Sequence, residues 1–178
     1  MKLFSIPFLA LLVVISTSCS SNLGTKVNEP FSGKSYLSNA RYFKATGKGV
    51  SHNENVATSK ATMESHKALA QMVSTSIQVV ADNYLEETQG EHVDMAVDVF
   101  KSLTRQITNT TIADLRQTGS KKFLQDDGKY AVYVAYEIKK AAMFRFLKKI
   151  AKLDPQVSPM VRSQIINMCD EELLRLED

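Results

Sequence analysis

The stretch QDDGKYAVYVAYEIK, residues 125–139, decides the fold. Gln125-Asp126-Asp127-Gly128-Lys129 has the composition of a tight turn: glycine takes positive φ without steric cost, and aspartate bonds its own backbone in turns. Beyond the turn the residues alternate. Tyr130, Val132, Val134, Tyr136 and Ile138 fall on one face of an extended chain, with Tyr133 and Glu137 on the other. A turn leading into a strand of this kind implies a hairpin, so a partner strand should precede it. TNTTIADLRQTGSKKFL, residues 108–124, shifts towards β-branched and polar residues, and a strand is expected over about 112–124.

Upstream, ARYFKATGKGVS at 40–51 reads as a further strand through Tyr42 and Phe43, with Gly47 and Gly49 ending or bending it. Asn53 and Asn55 are candidate helix caps. From 55 to 88, Leu69, Met72, Val73, Ile77, Val80 and Tyr84 recur at steps of three and four, which makes one apolar stripe of a long helix, with Gly90 as its stop. Val93, Val97, Phe100, Leu103 with Thr104, and Ile107 define a second helix over about 91–111. After the hairpin come a short basic helix, Lys140 to Leu153, ended by Asp154 and Pro155, and a last helix from about Ser158 to Leu176 with Pro159 in its first turn. A strand, two helices, a hairpin and two helices make an α+β fold: a small antiparallel sheet packed against two long helices, with an extra C-terminal helical pair.

The N-terminus obeys different rules. Lys2 precedes an apolar run from Leu3 to Ile15, then Ser16, Thr17, Ser18 and Cys19. A basic start, an apolar centre and small residues describe an export signal. The run is shorter than the roughly 20 apolar residues that a spanning helix needs. Ile15-Ser16-Thr17-Ser18-Cys19 resembles a bacterial lipobox, with Ile15 in place of the usual leucine and one position further back. That likeness implies signal residues 1–18, lipidation of Cys19, and a lipidated cysteine plus flexible spacer over 19–38. Two or three acyl chains, at ~0.8 kcal/mol per buried methylene, anchor a protein stably where one does not. Ser20, in place of aspartate, points by analogy with lipoprotein sorting to the outer membrane. About 16 flexible residues after Cys19 span roughly 20–25 Å, enough for the domain to stand just clear of a membrane.

The remaining chain suits one domain with a real core. With 22 basic and 19 acidic residues in the whole chain, its charge is too weak to imply nucleic acid as a partner. If Cys19 is lipidated, Cys169 has no intramolecular disulfide partner. Its apolar setting, IINMCDEELL, suits a core-facing thiol, with an intermolecular cross-link as the alternative.

ATGKGVSHNENVATSKATMESHKALAQMVSTSIQVVADNYLEE, and VFKSLTRQITNTTIADLRQTGSKKF with the later DDGKYAVYVAYEI, resemble in order and spacing the Lpp-twenty-type lipoprotein family, over residues 40–138. The resemblance implies an outer-membrane or periplasmic lipoprotein with an α+β module over about 39–139, leaving 140–178 as a C-terminal helical extension. Relatives in that family include flagellar basal-disk lipoproteins that assemble into rings or disks. It carries over no catalytic residue and no cofactor. The partners it implies are the membrane, through the anchor, and copies of the chain or other envelope proteins.

Other chemistry finds little footing. Gly47-x-Gly49 lacks the third glycine of a phosphate-binding fingerprint, position 52 being His52, and a structural turn is the expected reading. His52, His66 and His92 have no metal-ligand spacing and are expected to be solvent-exposed. No G-x-S-x-G occurs. The expectation is a non-catalytic protein acting through protein contacts. The first alternative is a periplasmic-facing binding module for a hydrophobic or anionic ligand, and the second an envelope hydrolase, which would need a nucleophile and a base within hydrogen-bond reach in a cleft. On the helix at 140–152, Arg145, Lys148, Lys149 and Lys152 share one side, opposite Met143, Phe144, Leu147, Ile150 and Ala151. The favoured reading is that the apolar side packs on the domain and leaves a solvated basic face, and the alternative is contact of the basic side with an anionic membrane or a partner.

Overall fold

The computed structural model describes residues 24, 27–87, 93–110 and 114–177. The signal, Cys19, Gly90 and His92 lie outside them. The elements are β1 (Tyr42–Ser51), α1 (Glu54–Glu87), α2 (Val93–Thr110), β2 (Arg116–Leu124), β3 (Tyr130–Lys139), α3 (Lys140–Leu153) and α4 (Pro159–Glu177). The fold is α+β, with a three-stranded antiparallel sheet in the order β1-β3-β2. The hairpin forms where the sequence places it. Gly128 has φ +75°, Gln125 N–H donates to Lys129 O at 2.8 Å, and Lys129 N–H donates to Asp127 Oδ1 at 3.1 Å.

β3 is the central strand, which explains why its sequence is apolar nearly throughout. Val132, Val134 and Ile138 are buried on the helix side, while Ala131, Ala135 and Glu137 are buried on the other. Phe43 pairs with Ile138, Ala45 with Tyr136, Gly47 with Val134 and Gly49 with Val132. β2 pairs Lys121 with Tyr133 and Phe123 with Ala131, with a register shift between Gln117 and Gly119.

Gly47 and Gly49 do not make the expected turn. They sit inside β1, which runs on to Ser51. Their role is close approach: a Cβ on Gly47 would lie 2.0 Å from Ala61 O, and one on Gly49 2.0 Å from Ala57 O. α1 therefore lies backbone-on-backbone against β1, and its facing residues Ala57, Ala61 and Ser65 are small and buried. They extend the apolar stripe of Leu69, Val73 and Ile77 to the start of the helix at steps of four. Asn53 is the N-cap, its Oδ1 accepting from Asn55 N–H at 2.9 Å and Val56 N–H at 3.2 Å. Asn55 lies inside the helix.

α1 has 34 residues and is about 50 Å long at 1.5 Å per residue, so it overruns the sheet. Its second half is covered instead by α2, α3 and α4. The main core lies there: Leu69, Val73, Ile77 and Tyr84 meet Phe100 and Leu103 of α2, Phe144 and Leu147 of α3, and Ile165 and Met168 of α4, with Phe43 and Ile138 joining it to the sheet. Each fully buried large apolar side chain contributes roughly 1.5–3 kcal/mol. Arg162 closes the α3–α4 corner by donating to Ala151 O at 3.0 Å and to Asp154 O and Val157 O at 2.9 Å, satisfying carbonyls at the end of α3.

Part of the expected spacer is not free. Between Glu29 and Ser38 the chain straps across the sheet face opposite α1. Lys48 Nζ bonds Glu29 Oε1 at 2.6 Å, Lys44 Nζ donates to Ser35 O at 2.8 Å, and the Phe31 ring packs on Gly119 and, edge-on, on Tyr36 at 4.9 Å. Phe31 has φ 61°, a left-handed conformation costing a non-glycine residue roughly 1–2 kcal/mol. The seat on Gly119 offsets that cost, because a side chain at 119 would collide with the ring.

Candidate functional site

The basic helix that the sequence singles out is α3, and its apolar side is buried as expected through Met143, Phe144, Leu147 and Ala151. Its basic side is partly matched within the domain. Lys148 Nζ bonds both oxygens of Asp170, at 2.7 Å to Oδ2, and Arg145 lies 3.5 Å from Glu177. Among the described residues, Lys149 and Lys152 have no carboxylate partner. The four cations share a side, but two of them face α4 carboxylates.

The sheet face away from α1 is a second and larger basic surface. The strand registers put Tyr42, Lys44 and Lys48 of β1, Glu137 and Lys139 of β3, and Arg116 and Lys121 of β2 on that face. Glu137 is buried between Arg116, whose guanidinium donates to it, and Lys44 Nζ at 3.6 Å. Hydrogen bonds to Glu29 and then Tyr133 hold the Lys48 ammonium above the usual lysine value. Cations also sit over rings: Lys48 Nζ is 5.2 Å from the Tyr133 centroid and Lys121 Nζ 5.8 Å from that of Phe31. Phe123, on the same face, meets Tyr133 edge-on at 5.9 Å and is 47% exposed. The sequence signal for this layer is the alternation Lys121, Phe123 in β2. It is legible only once the register shift at Gln117–Gly119 is known.

The two sheet edges differ. The outward groups of β1 are taken by side chains: Ser38 Oγ accepts from Lys44 N–H at 2.9 Å, Glu64 Oε2 accepts from Lys48 N–H at 2.9 Å, and Lys60 Nζ donates to Val50 O at 3.3 Å. On β2 no such partner occupies the outward edge among the described residues.

A shallow groove of about 700 Å³ runs beside α1, lined by Phe43, Ala68, Met72 and Val79, with Ser38 and Lys140 at its border. Lys140 Nζ stands 4.8 Å over the Phe43 ring. His66 is not a free surface histidine. Its ring packs edge-on against Tyr136 at 4.7 Å, Nε2 is buried without a hydrogen-bond partner, and burial lowers its pKa. His52 is exposed. Cys169 is fully buried, and burial pushes its thiol up to about 12; it faces the core, as its apolar neighbours imply. Among the described residues no three His, Cys, Asp or Glu side chains are grouped to hold a metal, and no helix is long and apolar enough to cross a membrane.

No protein-family model, no curated protein and no solved structure matches this chain.

Proposed function

We propose that this protein is a non-catalytic lipoprotein of a bacterial outer membrane, anchored through Cys19, whose α+β domain serves as a structural or assembly component by contacting other proteins. The observation that carries the reading is the N-terminal sequence: Lys2, the apolar run 3–15, the small residues 16–18 and Cys19. The partner class is further copies of the chain or other envelope proteins, and the outward edge of β2 supports it. Of the cations on β2, Arg116 is paired with Glu137 and Lys122 with Glu54, so the strand repels an added strand less than its composition suggests. β1 is closed to such addition by Ser38, Glu64 and Lys60.

Intact mass of the protein from membranes, for wild type and Cys19→Ala, tests the anchor. The wild type should carry two or three acyl chains and the variant none. A processed, unlipidated wild type refutes anchoring. Sedimentation of the deacylated protein tests association. Thr118 and Ser120 are both exposed on β2, so Thr118→Lys with Ser120→Lys should dissociate an edge-paired assembly by charge while leaving the hairpin intact. A monodisperse monomer before substitution refutes self-association.

A second reading, capture of a hydrophobic ligand with an anionic head, is favoured by the groove beside Phe43 and Met72 with Lys140 at its border. Under that reading a fatty acid should bind and Met72→Lys should abolish binding. Under the first reading neither effect occurs.

A further inference from the structure

We infer that the strap-covered sheet face, and not the basic side of α3, is the surface this domain lays against anionic lipid headgroups. The inference rests on the anchoring reading and adds an orientation to it. Three observations converge.

The first is where the tether arrives. Cys19 is separated by about ten residues from Glu29, where the chain is fixed to the sheet by the bond to Lys48. Ten residues of chain reach at most about 35 Å at full extension. Phe31, two residues on, is seated on Gly119. The anchored end of the chain therefore meets the domain on this face, and this face is held nearest the bilayer.

The second is charge. The strap and the outward sheet face together carry Lys34, Lys44, Lys48, Arg116, Lys121 and Lys139. Among the described residues they form ion pairs with Glu29 and Glu137, and Asp114 also acts on Arg116. That excess of about three charges matches the net +3 of the whole chain, so the rest of the molecule is on balance close to neutral. The cations are thus gathered on the side the tether approaches, where a negative headgroup layer attracts each of them. By contrast, α3 has Asp170 and Glu177 set against two of its four basic residues.

The third is the rings between the cations. Phe31, Tyr36, Tyr42, Tyr133 and half-exposed Phe123 stand among the lysines. Aromatic bodies with cationic neighbours suit the headgroup level of a bilayer, where one end of a side chain is apolar and the other wet. Lys121 and Lys139 have no carboxylate partner among the described residues and are free to meet phosphate.

The test uses the full-length protein reconstituted into phosphatidylcholine vesicles with and without phosphatidylglycerol. A fluorophore is placed on Thr46→Cys, exposed on this face, or on Met95→Cys, exposed on α2; buried Cys169 stays unlabelled. Headgroup spin-labelled lipid should quench the label at 46 at least about threefold more than the label at 95, and only when phosphatidylglycerol is present. Lys121→Glu with Lys139→Glu should erase that difference while circular dichroism stays native. Equal quenching, stronger quenching at 95, or a difference unmoved by the charge reversals overturns the assignment. Intact mass separates anchoring from orientation. If Cys19 carries no lipid, anchoring fails, and cosedimentation of the same chain with phosphatidylglycerol vesicles decides the face. Binding weakened by roughly tenfold or more in the double variant, at about fivefold per lysine, supports it. No binding, or binding to a soluble polyanion but not to vesicles, overturns it.

Discussion

Replacing Gly49 with alanine puts a methyl carbon 2.0 Å from Ala57 O and 2.6 Å from Ala61 N, where ordinary contact begins at 3.4 Å. Both obstacles are backbone atoms of α1, so trimming a neighbouring side chain cannot relieve the clash. The helix must retreat by about 1.4 Å. Ala57, Ala61, Val132 and Val134 form a small cluster of their own under this contact. A gap of 0.5–1 Å already forfeits roughly a quarter to a half of each dispersion contact across it. Overpacking a close contact costs about 1–3 kcal/mol. Alanine returns roughly 0.4–1 kcal/mol by restricting the unfolded chain. The net loss should be about 1.3 kcal/mol. With a urea m-value of roughly 2 kcal/mol per M, the midpoint falls by about 0.7 M with m unchanged. Gly33→Ala is the matched control, because the nearest atom to its Cβ, Ser35 Oγ, is 4.0 Å away; its midpoint should stay at or slightly above wild type. A Gly49→Ala midpoint within about 0.2 M of wild type would refute the view that β1 and α1 are in backbone contact.

Asn53→Ala removes the acceptor for two N–H groups at the start of α1 and should cost about 1 kcal/mol in the same urea assay. Cys169 should resist a thiol-specific disulfide reagent at pH 8 in the native protein, since its thiol is buried and titrates near 12. In urea it should react fully, giving one thiol per chain when Cys19 is in thioether linkage and two when it is free. Stability should fall as pH is lowered from about 7 to 5. The pKa of His66 is depressed by burial, so the unfolded chain takes up a proton that the folded chain refuses, and stability present above the unfolded value near 6.5 is lost as pH falls. His66→Phe should flatten that profile, and an unchanged slope would assign the dependence elsewhere.

Much of the architecture is legible in residue order because it depends on local periodicity. The alternation in β3, the Gly128 turn and the stripe of Leu69, Val73, Ile77 and Val80 are satisfied by any partner that buries them. The cap at Asn53 and the end of α3 at Asp154 are equally local. The start of the α1 contact is harder to see. Ala57, Ala61 and Ser65 carry too little apolar area to register as a stripe, and Gly47 and Gly49 look like turn residues until a helix is known to lie on them. His66 looks exposed until Tyr136 is brought against it from a strand far along the chain.

Chain order alone determined the α+β class and the succession of elements, and it alone carries the proposed export signal and the candidate lipid site at Cys19. Each of these rests on composition or period within one stretch of chain. Only the tertiary structure decided that Glu29–Ser38 is strapped to the sheet, that Arg145 and Lys148 face carboxylates on α4, and that Lys121, Lys139 and Phe123 share a face with Lys48 and Tyr133. Those facts depend on strand register and on contacts between residues far apart in sequence. A shift of one residue in β2 would turn Lys121 and Phe123 to the opposite side of the sheet.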